Sequence, residues 1–287
     1  RGLALGAVIA APSYVLALLL GLPLTATILI IGLIATLYTM YGGVAGVIQT
    51  DVKQMAVMMF GLVFCFFVVM ANLPEDVGFG DALYLAGSLD KLTALDLNFD
   101  LSEKYNVWCG VFAALFLMLS HFGTDQTQVQ RYLTTSDTKE AKKSLLLSAY
   151  AKVPMQFFIL LLGVMLYVFF IFNDAPISFR STEPVAQTEE QLNREQIIEQ
   201  QYLEARENRQ KLAVEAAKNR DMISQQAFLE ADADLNTARQ KELALQAEIR
   251  QADVNDTNYI FPYFILKYIP IGLVGLIVAG IFAAAMS

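Results

Sequence analysis

The chain has one histidine, His121, and two cysteines, Cys65 and Cys109, in 287 residues. A single histidine excludes a histidine-rich metal centre. Both cysteines sit in apolar stretches, as buried free thiols do, and are not spaced as metal ligands. No G-x-x-x-x-G-K-[ST] loop is present, so nothing cradles a nucleoside triphosphate. No basic patch with interleaved aromatics is present either, so nucleic acid is not expected as a partner. The lone histidine also argues against a membrane enzyme, which needs a paired nucleophile and base or a metal cluster. From Val185 to Phe261 there is no proline and no glycine.

Apolar sequence is plentiful. Hydrophobic residues make up 56% of the chain, more than a soluble domain of this size needs. Apolar segments run at about Leu3–Gly21, Leu24–Tyr41, Met55–Leu73, Val107–Phe122, Leu145–Phe172 and Tyr268–Met286. A bilayer core takes roughly 20 apolar residues per helix, and most of these segments approach that length. Backbone groups in lipid must bond internally, so each segment is expected to be α-helical. The chain starts at Arg1 and ends at Ser287 on apolar runs, as expected of a fragment of a longer protein.

Charge sets the expected orientation. The loop after Leu24–Tyr41 carries Lys53, and the loop before Leu145–Phe172 carries Arg131, Lys139, Lys142 and Lys143. Arg1 falls on the same side. The opposite loop, 74–106, has seven acidic residues against two lysines. The positive-inside rule assigns the basic loops to the cytoplasm. The net charge of −8 belongs mostly to residues 174–256, which hold 17 acidic and 10 basic residues; the remainder holds 28 − 17 = 11 and 20 − 10 = 10.

That polar block is rich in good helix formers. Ile198, Tyr202, Ala205, Leu212 and Ala216 recur at spacings of three and four, as do Phe228, Ala231, Leu235, Ala238, Leu245, Ile249 and Ala252. Thr188 with Gln191 fits a capping box, and Lys218–Asp221 is a plausible break. Two antiparallel helices of about 30 residues are expected, on the extracytoplasmic side. The pair is either a docking surface for a protein partner or a solvated insertion that the membrane part does not need. The expected division is 1–173 membrane core, 174–257 external hairpin and 258–287 a last membrane helix.

Four stretches carry candidate chemistry. In "YTMYGGVAGVIQTDVKQ", Gly42 and Gly43 end a helix, and Thr50, Asp51 and Gln54 open the next. Thr50 or Asp51 is then a helix cap, or Asp51 is a carboxylate beside a cation path. In "SHFGTDQTQVQR", Ser120, His121, Asp125, Gln126, Gln130 and Arg131 follow a short apolar segment. Either the helix unwinds at Gly123 into a wet cavity, or the membrane simply ends at His121. Lys152 either snorkels to the headgroups or points inward at a solute. In "AGIFAAAMS", small residues allow close helix packing, and Ser287 with a nearby carbonyl offers hard oxygen ligands to an alkali cation.

These stretches together resemble the sodium:solute symporter family. "YTMYGGVAGVIQTDVKQ" is similar to its Gly-Gly…Thr-Asp-x-x-Gln segment, "GTDQTQVQRYLTT" to its Gly-x-(Asn/Asp)-Gln…Gln-Arg signature, and "GLIVAGIFAAAMS" to its Ala-rich ion-binding helix. The resemblance implies an all-α membrane protein: core helices three to eight of a five-plus-five inverted-repeat symporter, interrupted by the extramembrane hairpin. It implies sodium as the co-transported ion, with no organic cofactor, a small organic solute as substrate and a multi-pass place in the plasma or inner membrane. By the same resemblance Asp51 belongs to a second sodium site or ion-release path, and Ala284 and Ser287 to the shared sodium site. His121 falls at an inner gate beside Ser120, and Lys152 at a solute contact. Gly42, Gly43, Thr50, Gln54, Asp125, Gln126, Gln130 and Arg131 belong to the motifs, with Gln126 and Arg131 on the cytoplasmic side. A proton-coupled cycle, or a solute sensor on the same fold, is the alternative.

Overall fold

The computed structural model describes residues 2–93, 97, 99, 106–133, 137–179, 188–250 and 256–286; the side chains of 2–5, 7, 8, 11, 44, 121, 127, 128, 131, 132, 149 and 283–286 lie outside the description. Every regular element among the described residues is helical. These are α1 (Gly2–Leu20), α2 (Leu24–Ala71), α3 (Phe79–Ser88), α4 (Val107–Gly123), α5 (Gln126–Leu133), α6 (Thr138–Phe172), α7 (Glu189–Asn219), α8 (Met222–Arg250), α9 (Ile260–Tyr268) and α10 (Ile271–Met286). The chain divides into two compact units, one of residues 1–85 with 165–287, the other of residues 86–164.

In the first unit α1, α2 and α10 pack together. Leu16 and Ile31 are fully buried at their meeting point, with Ile9, Val278, Ile281 and Phe282 against them. Outward-facing side chains are equally apolar: Leu33 is 63% exposed and Phe67 62%. Such a surface needs lipid or further protein against it. The hydroxyls on this surface are dealt with locally. Thr27, Thr36 and Thr39 each donate to the carbonyl four residues back, at 3.1, 2.7 and 2.8 Å. That bond removes a donor that hydrocarbon could not satisfy. Three stretches are long and apolar enough to cross a membrane: Leu24–Gly43, Ala45–Ala71 and Thr138–Phe172.

α2 is two helices joined at Gly43, whose φ of 56° and ψ of −168° are non-helical. In a straight helix Tyr38 and Thr50 would lie about 18 Å apart along the axis. Instead their hydroxyls are hydrogen-bonded, and the Tyr38 hydroxyl reaches the Gly46 carbonyl at 3.0 Å. The two halves therefore fold back on each other at Gly43. Only glycine visits that backbone region freely. Gly43→Ala is expected to cost about 1–3 kcal/mol. Gly46→Ala, in regular helix with open space around it, should cost nothing. Thermal unfolding in detergent checks the pair, and equal midpoints would remove the hinge role.

α7 and α8 form an antiparallel pair. The Thr188 backbone donates to Gln191 Oε1 at 2.9 Å and Gln191 donates back to Thr188 Oγ1 at 3.3 Å, which closes the capping box at the start of α7. The turn comes at Arg220, in the left-handed region at φ 51°. Alanines 213, 216, 217, 231 and 238 are buried between the helices together with Phe228, Leu235 and Leu245, so the axes approach closely.

Charged groups fill the rest of that interface. Arg209 and Asp232 are a buried ion pair at 3.1 Å. Arg209 also donates to the Phe170 carbonyl at 3.0 Å, and Gln210 to that of Phe172 at 3.2 Å. Asn173 covers the Phe169 carbonyl at 3.1 Å. These are orphan acceptors of the last turn of α6, which has no basic residue of its own. A second anchor is Asp256, buried before α9. It accepts from the Phe179 backbone at 3.0 Å and from Arg239 at 2.8 and 2.9 Å. Further along, the Gln246 amide lies between the carboxylates of Glu242 and Glu195, at 2.9 and 3.4 Å. Burial pushes the Glu242 carboxyl up, and Glu195 and Glu199 push the same way.

Candidate functional site at the α2 hinge and the broken α4 helix

The first cluster lies in the second half of α2. That half starts at Ala45, so Thr50 and Asp51 stand beyond its first turn, and the capping reading is overturned. The physical reason is that Ala45–Gln49 continue the helix through Gly46, and Thr50 bonds backward to the Gly46 and Val47 carbonyls at 3.1 and 2.9 Å. The Tyr38–Thr50 brace fixes this turn. One residue on, Asp51 is half-buried, and Gln54 is buried.

α10 runs antiparallel along the same half. A Cβ on Gly61 would meet Ile277 at 3.4 Å, and one on Gly280 would meet Val57 at 3.5 Å. The two glycines are what allow this approach. The register, Gly61 by Ile277 and Gly280 by Val57, continues one turn further to bring the Ala284 backbone level with the Lys53–Gln54 turn. The last turn of α10 and the Asp51 turn therefore converge. The Ala284 side chain and Ser287 lie outside the described residues. Beside this packing, an apolar hollow of about 170 Å³ is lined by Val57, Gly61, Cys65, Phe261, Ile277 and Gly280. Its walls offer almost no polar atom, so it is not built for a polar solute.

The second cluster lies wholly in the unit of residues 86–164. α4 ends at Gly123, and Thr124 and Asp125 leave the helix before α5 begins. Both backbone N–H groups donate to the Ser120 carbonyl at 3.0 Å, and the Thr124 hydroxyl joins them at 2.9 Å. Asp125 then accepts from Val129 at 2.9 Å and opens α5. Gln126 and Gln130, one turn apart on α5, are exposed, as is Ser120. The side chains of His121 and Arg131 lie outside the description.

Lys152 belongs with this cluster. α6 begins at Thr138 and not near Leu145, because the polar Thr138–Ser144 segment is helical too. Lys152 is thus about four turns into the helix, not two. Its ammonium sits 5.5 Å from the centre of the Phe122 ring, a cation–π contact next to His121 in sequence. Two of the sequence-predicted stretches, 120–123 and Lys152, are brought together in this way.

Sequence reading missed Arg209, Asp232, Asp256 and Glu242, the buried charged groups of the polar block. Only one signal pointed to them. Arg209 and Tyr202 are seven residues apart, on one helical face, so Arg209 belongs on the stripe that the apolar count drew without it.

Helices of membrane length, apolar outward surfaces, hydroxyls bonded back onto their own helices and close glycine-mediated helix packing define an all-helical, polytopic membrane protein. The model of the sodium:solute symporter family matches residues 3–198, and the chain belongs to that family. It is 32% identical over 181 residues to the sodium-dependent multivitamin transporter of Oryctolagus cuniculus, which covers 62% of this chain and 27% of that protein. It is 33% identical over 180 residues to the human sodium/iodide cotransporter, with coverages of 62% and 27%. It is 30% identical over 141 residues to the mouse sodium-coupled monocarboxylate transporter 2, with coverages of 49% and 22%. The matched part thus spans about a quarter of the length of these relatives. No solved structure matches. The family match ends within α7, so α8, α9 and α10 lie beyond it.

Proposed function

We propose that the chain is part of a symporter that couples inward sodium movement to uptake of a small organic solute by alternating access. Membership of the sodium:solute symporter family carries this reading. The α2 hinge supports it from the physical side. A carboxylate one residue from a braced turn, at the end of a membrane-length helix, is costly unless it meets a cation or water. Each elementary charge moved inward gains about 2.3 kcal/mol per 100 mV, and a sodium gradient adds to that. One or two ions can therefore concentrate a solute many-fold without ATP.

In this reading Asp51 serves a second sodium site or the release path. The Ala284 carbonyl and the Ser287 hydroxyl contribute to the shared sodium site. Ser120, His121 and Lys152 face the solute. The motif residues Gly42, Gly43, Thr50, Gln54, Asp125, Gln126, Gln130 and Arg131 hold the cytoplasmic side, and α7–α8 lie outside the cell membrane. The test is uptake into proteoliposomes under an imposed sodium or proton gradient, with a vitamin, iodide and a monocarboxylate as probes. Sodium should drive uptake of at least one. Asp51→Ala should weaken sodium activation about tenfold or more while the protein stays folded, since it removes a charge-assisted ligand. Unchanged sodium activation in that variant would take Asp51 out of the mechanism, and uptake driven only by protons would replace the ion.

A further inference from the structure

The hairpin touches the rest of its unit at two places of opposite character. Its root is buried, where Arg209, Asp232 and the Phe170 carbonyl meet, and where Asp256 holds Arg239 and Phe179. Its turn is exposed. There Lys218 meets Asp76 at 2.9 Å and Arg220 meets Asp81 at 2.6 Å, with side chains 52% and 53% exposed on the hairpin side. The Arg220 guanidinium also lies over the Tyr84 ring at 5.4 Å. All three partners belong to α3 or the residues just before it.

Backbone conformation at the turn makes the choice of residue informative. Arg220 occupies the left-handed position that ends α7, where glycine is the residue with no steric penalty. An arginine there strains the backbone and gains nothing inside the hairpin. What it gains is Asp81 and Tyr84. Buried ion pairs do not open without a large penalty, whereas exposed ones exchange with water and salt readily. The turn is therefore the end that lets go.

We propose that the α7–α8 turn is a releasable ionic latch on α3, with Arg220 as its key residue, and that the latch opens while the root stays docked. Resting on the sodium-symport reading, the latch is a moving part of the outer face, and its open fraction changes with sodium.

Spin labels on exposed Met222 and Glu75 measure the latch in lipid nanodiscs, with Cys65 and Cys109 replaced by alanine. Labels on exposed Leu203 and Leu266 report on the root. One short turn-to-α3 distance is expected at low salt, with a longer one growing in as salt rises. Arg220→Gly should raise the open-to-closed ratio about three- to tenfold at low salt, the size expected for losing an exposed ion pair. Lys218→Glu should act in the same direction, and adding Asp76→Lys should restore closure. The root distance should stay single throughout. An unchanged short distance in Arg220→Gly, or turn and root lengthening together, would overturn the latch. Sodium and potassium chloride at equal ionic strength then separate the two claims. Different open fractions are expected. Equal fractions, with the Arg220→Gly effect intact, would keep the latch and remove its link to the sodium cycle.

Discussion

Arg209→Met is expected to free the hairpin from the end of α6. The substitution leaves Asp232 buried without its cation, and removing one partner of a buried ion pair costs about 3–5 kcal/mol. It also uncovers the Phe170 carbonyl. Asn236 and Tyr167 still reach Asp232, at 2.8 and 3.4 Å, but neither brings a charge. Limited proteolysis in nanodiscs measures the effect. The α7–α8 turn should be cut at least a hundredfold faster than in the parent protein, by the equivalence of 1.4 kcal/mol and tenfold. The double variant Arg209→Met with Asp232→Leu should recover most of the loss, because an apolar pair of similar volume can replace a buried ion pair. Equal cutting rates in parent and single variant would mean that the pair does not hold the hairpin.

Asp256→Ala should be almost as damaging, for a related reason at a different place. Asp256 is 2% exposed and accepts from a main-chain N–H and from an arginine. Its loss leaves the Phe179 N–H and the Arg239 guanidinium without the carboxylate that pairs them. About 3–5 kcal/mol is again the expected cost of an orphaned buried charge. The segment at 174–179 should loosen along with α9, since Phe179 packs edge-on against Phe170 and Tyr263. Hydrogen exchange of residues 176–179 and 256–268 measures this. Asp256→Asn keeps an acceptor for one of the two donors and should fall between the parent and the alanine variant. Parent-like exchange in the alanine variant would show that the aromatic packing alone suffices.

How far the sequence could be read depended on what each signal measures. Hydropathy located the membrane segments, because apolar length is what lipid demands. It misplaced the start of α6, because Thr138–Ser144 is polar yet helical, and hydropathy registers lipid contact and not backbone bonding. The same confusion made Thr50 and Asp51 look like a cap. Ala45–Gln49 read as loop between two glycines and a polar run, but a glycine inside a helix is only mildly unfavourable. Capping chemistry was legible in full at Thr188 and Gln191, since both halves of the box lie three residues apart. Arg209, Asp232 and Asp256 were not. Arg209 finds its partners 23 and 39 residues away and Asp256 one of its own 77 away, and single-sequence periodicity ranks every charged residue as a solvated face. At the candidate site, the glycine hinge and the break after Gly123 were visible as residue types. The convergence of Asp51 with the end of α10 was not, because it depends on a helix-packing register that no local pattern encodes.

The last turn of α6 borrows its terminating cation from α7. A helix end that cannot close itself ties two distant segments to a common fate. Any insertion or slip that rotates residues 169–172 by even one position would turn the Phe170 and Phe172 carbonyls away from Arg209 and Gln210. Grafting α7–α8 onto another member of the family would therefore have to carry the final turn of α6 with it, and trimming the pair away would require a lysine or arginine written into that turn to stand in its place.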